Sequence, residues 1–248
     1  MEALLDGRTV LVTGGGRRVG AAIARRLHGA GANLVLHYRD SAADADALAA
    51  ELNARRDKSA ATVKAELLAP IAPRALVSAA LDRFGSLDVL VNNASSFFPT
   101  PIGGIEASHW EALVGSNLRA PLFLSQEAAP ELAKRAGCIV NIVDIHAERP
   151  LKGYPVYSIA KAGLAALTRS LALELAPQVR VNGVAPGAIA WPEDGQFASE
   201  ERERILRTTP LGRTGTPEDI AQAVHFLACA PFVTGQLLAV DGGRSVFL

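Results

Sequence analysis

Short apolar, β-rich runs alternate with helix-length segments from one end of this 248-residue chain to the other. That alternation constrains the fold more than any other feature of the sequence. The runs fall at 9–13, 33–38, 61–65, 87–92, 137–143, 179–184 and 237–240, and several (LDVLVNN, CIVNIV) are almost unbroken by polar residues. Such runs suit parallel strands covered on both faces, whereas strands with one wet face alternate. Helical periodicity fills the gaps at 20–29, 42–55, 73–84, 110–134 (one helix or two), 156–175 and 217–228. Strands joined by helical crossovers build right-handed βαβ units. The expected fold is therefore α/β, a Rossmann-type doubly wound sheet of about seven parallel strands with helices on both faces. No linker or shift in composition divides the chain, so residues 1–248 read as one domain.

Hydrophobic residues make up 49% of the chain, enough for a substantial core, and disorder is excluded on that ground. Lysine plus arginine equals aspartate plus glutamate at 25 each, which speaks against nucleic acid as a partner. No charged-then-apolar leader precedes the first strand, and no apolar run of about 18 residues occurs. These features predict a soluble, cytoplasmic protein without a membrane partner. The five histidines share no metal-ligand spacing with one another or with Cys138 and Cys229, so no metal is expected. Both cysteines sit in apolar segments and read as buried thiols.

Two regions carry chemistry. The first run leads into Thr13-Gly14-Gly15-Gly16-Arg17-Arg18-Val19-Gly20 and then a helix. Glycines let the backbone approach a pyrophosphate, and a helix N-terminus supplies free N–H groups and a positive dipole end. The spacing is not the usual GxGxxG, and Arg18 stands where such turns often keep glycine. The second run ends His37-Tyr38-Arg39-Asp40-Ser41. An acidic residue there holds the ribose hydroxyls of NAD, whereas an arginine accommodates a 2′-phosphate. Arg39, Ser41 and Arg17 together favour NADPH/NADP+; Asp40 is the counter-signal, able to pair with Arg39 or repel a phosphate.

Further on, Tyr157 and Lys161 are four apart in a helical segment and share a face. An ammonium beside a phenol is expected to lower the tyrosine pKa toward a useful range. The charged stretch 191–207 reads either as a solvated helix face or as a lid over the cleft, an insertion spanning about 188–208.

The Gly-rich turn, Asn92-Asn93-Ala94, Asn117, Tyr157-xxx-Lys161 and Pro186-Gly187 together resemble the short-chain dehydrogenase/reductase family over essentially the whole chain. That family's catalytic set is Asn, Ser, Tyr and Lys. Asn117, Tyr157 and Lys161 match it, and Asp144 occupies the serine position thirteen residues before the tyrosine. A carboxyl there can carry a proton or accept hydrogen bonds from an N–H-rich ring. The aspartate, the Arg18-bearing turn, His37-Tyr38, the stretch SSFFPTP from Ser95 to Pro101 and the ending VDGG resemble the pteridine reductases within that family.

The resemblance implies hydride transfer from NADPH to a C=N carbon of a dihydropterin, with folates or oxidised pterins as further substrates. Asp144, Tyr157, Lys161 and Asn117 would form the catalytic set, Asn117 by securing a water near Lys161. Substrate would meet Arg18, Ser95, Phe97, Asp144 and Tyr157, with Phe97 stacking the pterin. The cofactor would lie along Gly14, Arg17, Arg18 and Val19, then His37, Tyr38, Arg39 and Ser41, then Glu66 and Leu67. Its remaining contacts would be Asn93, Ala94, Ser95, Tyr157, Lys161, Pro186 and Gly187. The resemblance also implies a homotetramer. Other short-chain carbonyl or 3-oxoacyl reductases, and a non-catalytic NADP-binding sensor, are the alternatives.

Overall fold

Adjacent residues of a strand face opposite sides of its sheet, and in the first run both sides are apolar. Val10 and Val12 pack into one buried cluster, while Leu11 between them packs into another. The computed structural model describes residues 5–190 and 198–247. Its strands are β1 (Thr9–Val12), β2 (Asn33–Tyr38), β3 (Ala60–Lys64), β4 (Val89–Asn92), β5 (Cys138–Ile142), β6 (Arg180–Pro186) and β7 (Leu237–Val240). They form one parallel sheet in the order β3-β2-β1-β4-β5-β6-β7. The order reverses between β1 and β4, and this switch point opens a crevice at the carboxyl ends of the strands.

Helices α1 (Arg18–Gly29), α2 (Ala42–Arg55) and α8 (Pro217–Cys229) cover one face. Helices α3 (Ala72–Phe84), α5 (Ala120–Ala133) and α6 (Pro155–Glu174) cover the other. The remaining helices are α4 (Ala107–Val114), α7 (Ser199–Arg207) and α9 (Arg244–Phe247). The 110–134 segment resolves into α4, a π-helical turn over Gly115–Arg119, and α5. Pro121 has no N–H to return to the Asn117 carbonyl, which accounts for the break in the helical ladder at that point. Helix α7 carries the charged stretch expected as a solvated face or a lid and buries only Ile205. Residues 191–197 of that stretch lie outside the described residues.

No helix among the described residues is long and apolar enough to cross a membrane. No cluster of His, Cys, Asp and Glu among them could hold a metal. Cys138 is buried, Cys229 half-buried, and both are free thiols.

Candidate active site

A cleft of about 920 Å³ runs across the carboxyl ends of the strands. At one part of its wall the chain leaves β1, turns through Gly14 at φ +60° and starts α1. Gly20 is the residue this turn cannot exchange: a Cβ there would overlap the Gly14 carbonyl. Arg18 also sits in the left-handed region, at φ +47°, where a side chain costs about 1–2 kcal/mol. The substitution for glycine is thus a strained one. The first intrahelical bond of α1 is donated by Ala21, so the amides of Arg18, Val19 and Gly20 have no acceptor among the described residues. Three free N–H groups at the N-terminus of a three-turn helix suit a pyrophosphate.

Beside the turn, His37 is buried and fully engaged. Its Nδ1 accepts from the Gly14 amide at 3.1 Å, which leaves Nε2–H to donate to the Ala65 carbonyl at 3.1 Å. Burial pushes its pKa down, so the ring stays neutral and pins the turn to the end of β3. Tyr38, Arg39, Ser41, Glu66, Leu67 and Arg17 line the same cleft. Asp40 takes up Arg39 directly, with Arg39 Nε 2.6 Å from its carboxylate, and Glu66 stands 3.9 Å from the same nitrogen. Arg17 lies 3.5 Å from Asp44. The arginines expected at a 2′-phosphate therefore already have carboxylate neighbours.

The Asn93–Phe97 loop follows β4. Asn93 and Ala94 tie it to the first turn: the Asn93 side chain donates to the Thr13 and Gly14 carbonyls, and the Ala94 amide donates to the Thr13 hydroxyl. Phe97 stacks on Tyr154 with ring centres 4.7 Å apart and planes 9° apart, and meets Tyr157 edge-on at 4.8 Å. Tyr154 was not expected at the site; it precedes the Tyr157 segment, and only folding brings it under Phe97.

Asp144, Tyr157 and Lys161 converge. Asp144 follows β5, and the His146 amide donates to its Oδ1 at 2.8 Å. The Tyr157 hydroxyl donates to Oδ2 at 2.7 Å. Lys161, only 2% exposed, donates to the Ile142 carbonyl at 2.9 Å, with its ammonium 5.7 Å from the Tyr157 ring centre. Burial first, then the charge and hydrogen bond of Asp144, push the Tyr157 pKa well above its ordinary value. The expectation that Lys161 lowers it is overturned: the carboxylate touches the phenol, whereas the ammonium bonds to a carbonyl behind it. Burial pushes Lys161 down to about 8, with Asp144 opposing the shift.

Asn117 does not line the cleft. Its side-chain amide donates to the Ser96 and Leu113 carbonyls, both at 2.9 Å, and its oxygen accepts from Ser95 at 2.7 Å. The side chain braces the loop that presents Ser95 and Phe97 and makes no bond to Lys161. Pro186 and Gly187 line the cleft where β6 ends. Arg18 reaches across to donate to the Ala190 carbonyl at 3.1 Å. Leu151, Arg204 and Arg244 complete parts of the wall that the sequence reading left out. The cleft can seat a long ligand along the strand ends and a flat group by Phe97, with a carboxylate–phenol pair as proton source.

A family model described as enoyl-(acyl carrier protein) reductase matches residues 16–245. Pteridine reductase 1 of Leishmania tarentolae is 43% identical over 95% of this chain and 96% of its own. The 3-oxoacyl-[acyl-carrier-protein] reductase of Synechocystis sp. is 36% identical over 98% of this chain and 99% of its own. The 3beta-hydroxysteroid dehydrogenase 1 of Eggerthella lenta is 35% identical over 98% and 95%. The sheet order, the turn into α1 and the Tyr157–Lys161 pair agree with that match: the chain belongs to the short-chain dehydrogenase/reductase family and is an oxidoreductase.

Proposed function

We propose that the chain is an NADPH-dependent pteridine reductase that converts dihydropterins to tetrahydropterins. The observation that carries this reading is the Tyr157 hydroxyl donating to Asp144 at 2.7 Å, beside the ring of Phe97. A phenol held protonated next to a carboxylate is a proton source, which a reduction needs. A flat, hydrogen-bonding heterocycle suits one aromatic face and a few polar edge partners.

NADPH, when bound, supplies the hydride. The free amides of Arg18, Val19 and Gly20 hold its pyrophosphate, and Arg17, Arg39 and Ser41 its 2′-phosphate. Phe97 supports the ring to be reduced, and Ser95, braced by Asn117, meets its edge. Asp144 and Tyr157 together pass a proton to the ring nitrogen next to the carbon that takes the hydride. Lys161 holds the nicotinamide ribose, and its positive charge limits the build-up of negative charge when the proton leaves. The reading includes a cytoplasmic homotetramer acting on small molecules. Exposed apolar side chains such as Phe226, Phe232 and Leu173 support association.

A second reading, a 3-oxoacyl reductase, is favoured by the carrier-protein reductase among the relatives. Asp144 counts against it, because a ketone needs a neutral donor at the serine position. Steady-state NADPH consumption with dihydrobiopterin, dihydromonapterin, dihydrofolate and a 3-oxoacyl thioester separates the two. Turnover of a pterin is expected to dominate; turnover of the thioester alone would overturn the proposal.

A further inference from the structure

Arg244, at the start of α9, stands in the cleft wall beside α7 and is only 6% exposed. Its Nη1 donates to the Ile205 carbonyl at 2.8 Å and to the Thr208 hydroxyl at 2.6 Å. A cation at the last turn of a helix complements the carbonyl dipoles there, and this accounts for one of its three nitrogens. Nε and Nη2 have no acceptor among the described residues, yet neither is sealed from solvent. No carboxylate among the described residues lies within ion-pair reach of the guanidinium. The acidic groups whose fields reach it are engaged elsewhere. Asp241 accepts from the Gly243 and Ser245 amides, and Glu201 sits 3.3 Å from Arg204. Burial and the nearby Arg204 depress its pKa, as expected for a cation short of counter-charge.

Burying a guanidinium without a carboxylate is costly unless something else supplies the negative charge. A planar N–H fork opening on a ligand cleft is shaped to receive a carboxylate or phosphate with two parallel hydrogen bonds. We propose that Arg244 is an anion subsite: its Nε and Nη2 edge holds a carboxylate or phosphate on the tail of the substrate. This rests on the reductase reading and adds where the charged end of a substrate lies. The shared chemistry has two sources, a glutamyl carboxylate on a pterin tail or the phosphate of a pantetheine arm.

The test compares dihydrofolate, which has a glutamyl tail, with dihydrobiopterin, which has none. In Arg244→Met, the ratio of their kcat/KM values is expected to shift at least about tenfold against dihydrofolate, as for loss of a charge-assisted pair. Thr208→Val removes one clamp on α7 and keeps the cation; it should leave that ratio near the wild-type value. A ratio moved equally by Thr208→Val, or a ratio unmoved in Arg244→Met with neither of the titrants below binding more weakly to that variant, overturns the subsite and makes Arg244 a helix clamp only. Calorimetric titration of N-(4-aminobenzoyl)glutamate and of pantetheine 4′-phosphate into protein saturated with NADP+ distinguishes the two sources. Arg244→Met should weaken whichever binds by at least about tenfold, and binding of neither to the wild type also overturns the subsite. Failure of the pterin reading has a separate signature, no wild-type turnover of either pterin, and the calorimetry still decides the subsite.

Discussion

Asp144→Asn preserves the side-chain shape and removes one negative charge from beside Tyr157 and Lys161. Two consequences can be worked from the geometry. The 2.7 Å bond from Tyr157 changes from charge-assisted to neutral, a weakening of about 1 kcal/mol. Lys161, whose pKa lies at about 8, loses the group that opposes its desolvation. A charge–charge interaction of about 1–2 kcal/mol in the effective dielectric of a protein corresponds to about one pKa unit. Lys161 is charged below its pKa, so activity that needs the ammonium falls as pH rises through that value. A lower pKa moves the fall to lower pH.

On the pterin reading, the wild type is therefore expected to lose kcat/KM for dihydropterin as pH rises through about 8. Asp144→Asn should show the same limb about one unit lower, with kcat reduced about 10²- to 10⁴-fold by loss of the proton source. The assay is NADPH oxidation across the neutral and alkaline range at constant ionic strength. Lys161→Arg keeps a cation throughout, so its residual activity should lack the limb. An alkaline limb at the same pH in wild type and Asp144→Asn would refute the coupling argued here.

Three further perturbations test other parts of the molecule. Asp88 is buried and accepts from the Thr9 amide, Arg8 and Arg135. Burial alone would raise its pKa, but these donors outweigh it and hold it below the usual carboxylate range. Its contribution is thus present above the unfolded pKa and lost as pH falls through the folded one. Asp88→Asn should lower stability by about 2–4 kcal/mol near neutral pH, with a smaller loss in acid, measured by urea denaturation. Arg18→Gly removes left-handed strain but adds chain entropy, so stability should change by less than about 1 kcal/mol. On the pterin reading, its KM for dihydropterin should rise more than its KM for NADPH; the reverse order would remove Arg18 from the substrate edge. Asp40→Asn frees Arg39 from an exposed ion pair worth up to about 1 kcal/mol. KM for NADPH should fall up to about fivefold while KM for NADH stays put, and equal changes in both would show that Arg39 does not meet a 2′-phosphate.

The sheet was legible in the sequence because its central strands β1, β4 and β5 are buried on both faces and so read as largely apolar runs. Helix periodicity sets the 157–161 pair on one face, whereas the place of Asp144 beside that pair came from the family resemblance, in which it stands at the serine position. What the sequence could not convey is distance. A carboxylate 2.7 Å from the phenol and an ammonium bonded to a carbonyl give Tyr157 a raised pKa, where the pattern alone suggested a lowered one. Nor does the pattern convey that Asn117, in the π-helical turn, bonds to Ser95 and Ser96. Arg244 was illegible because its partners come from α7, a helix too polar to register as part of a core.

The raised Tyr157 pKa bears on the direction of catalysis as well as on the substrate. A serine at position 144 would leave the phenol to the influence of Lys161 and permit a phenolate, which can take a proton from an alcohol. With Asp144 in place, ionising Tyr157 would set two negative charges across a hydrogen bond, with burial adding to the penalty. Burial and Asp144 thus keep the phenol protonated, the state from which a proton can be given. On the pterin reading, the Asp144 carboxylate is also a group that a substrate ring with N–H edges can meet directly. On that reading, reduction of a C=N bond beside a ring nitrogen draws on both the protonated phenol and the carboxylate. The same pair of residues thus argues for substrate class and for reaction direction, and Asp144→Ser should relax both at once.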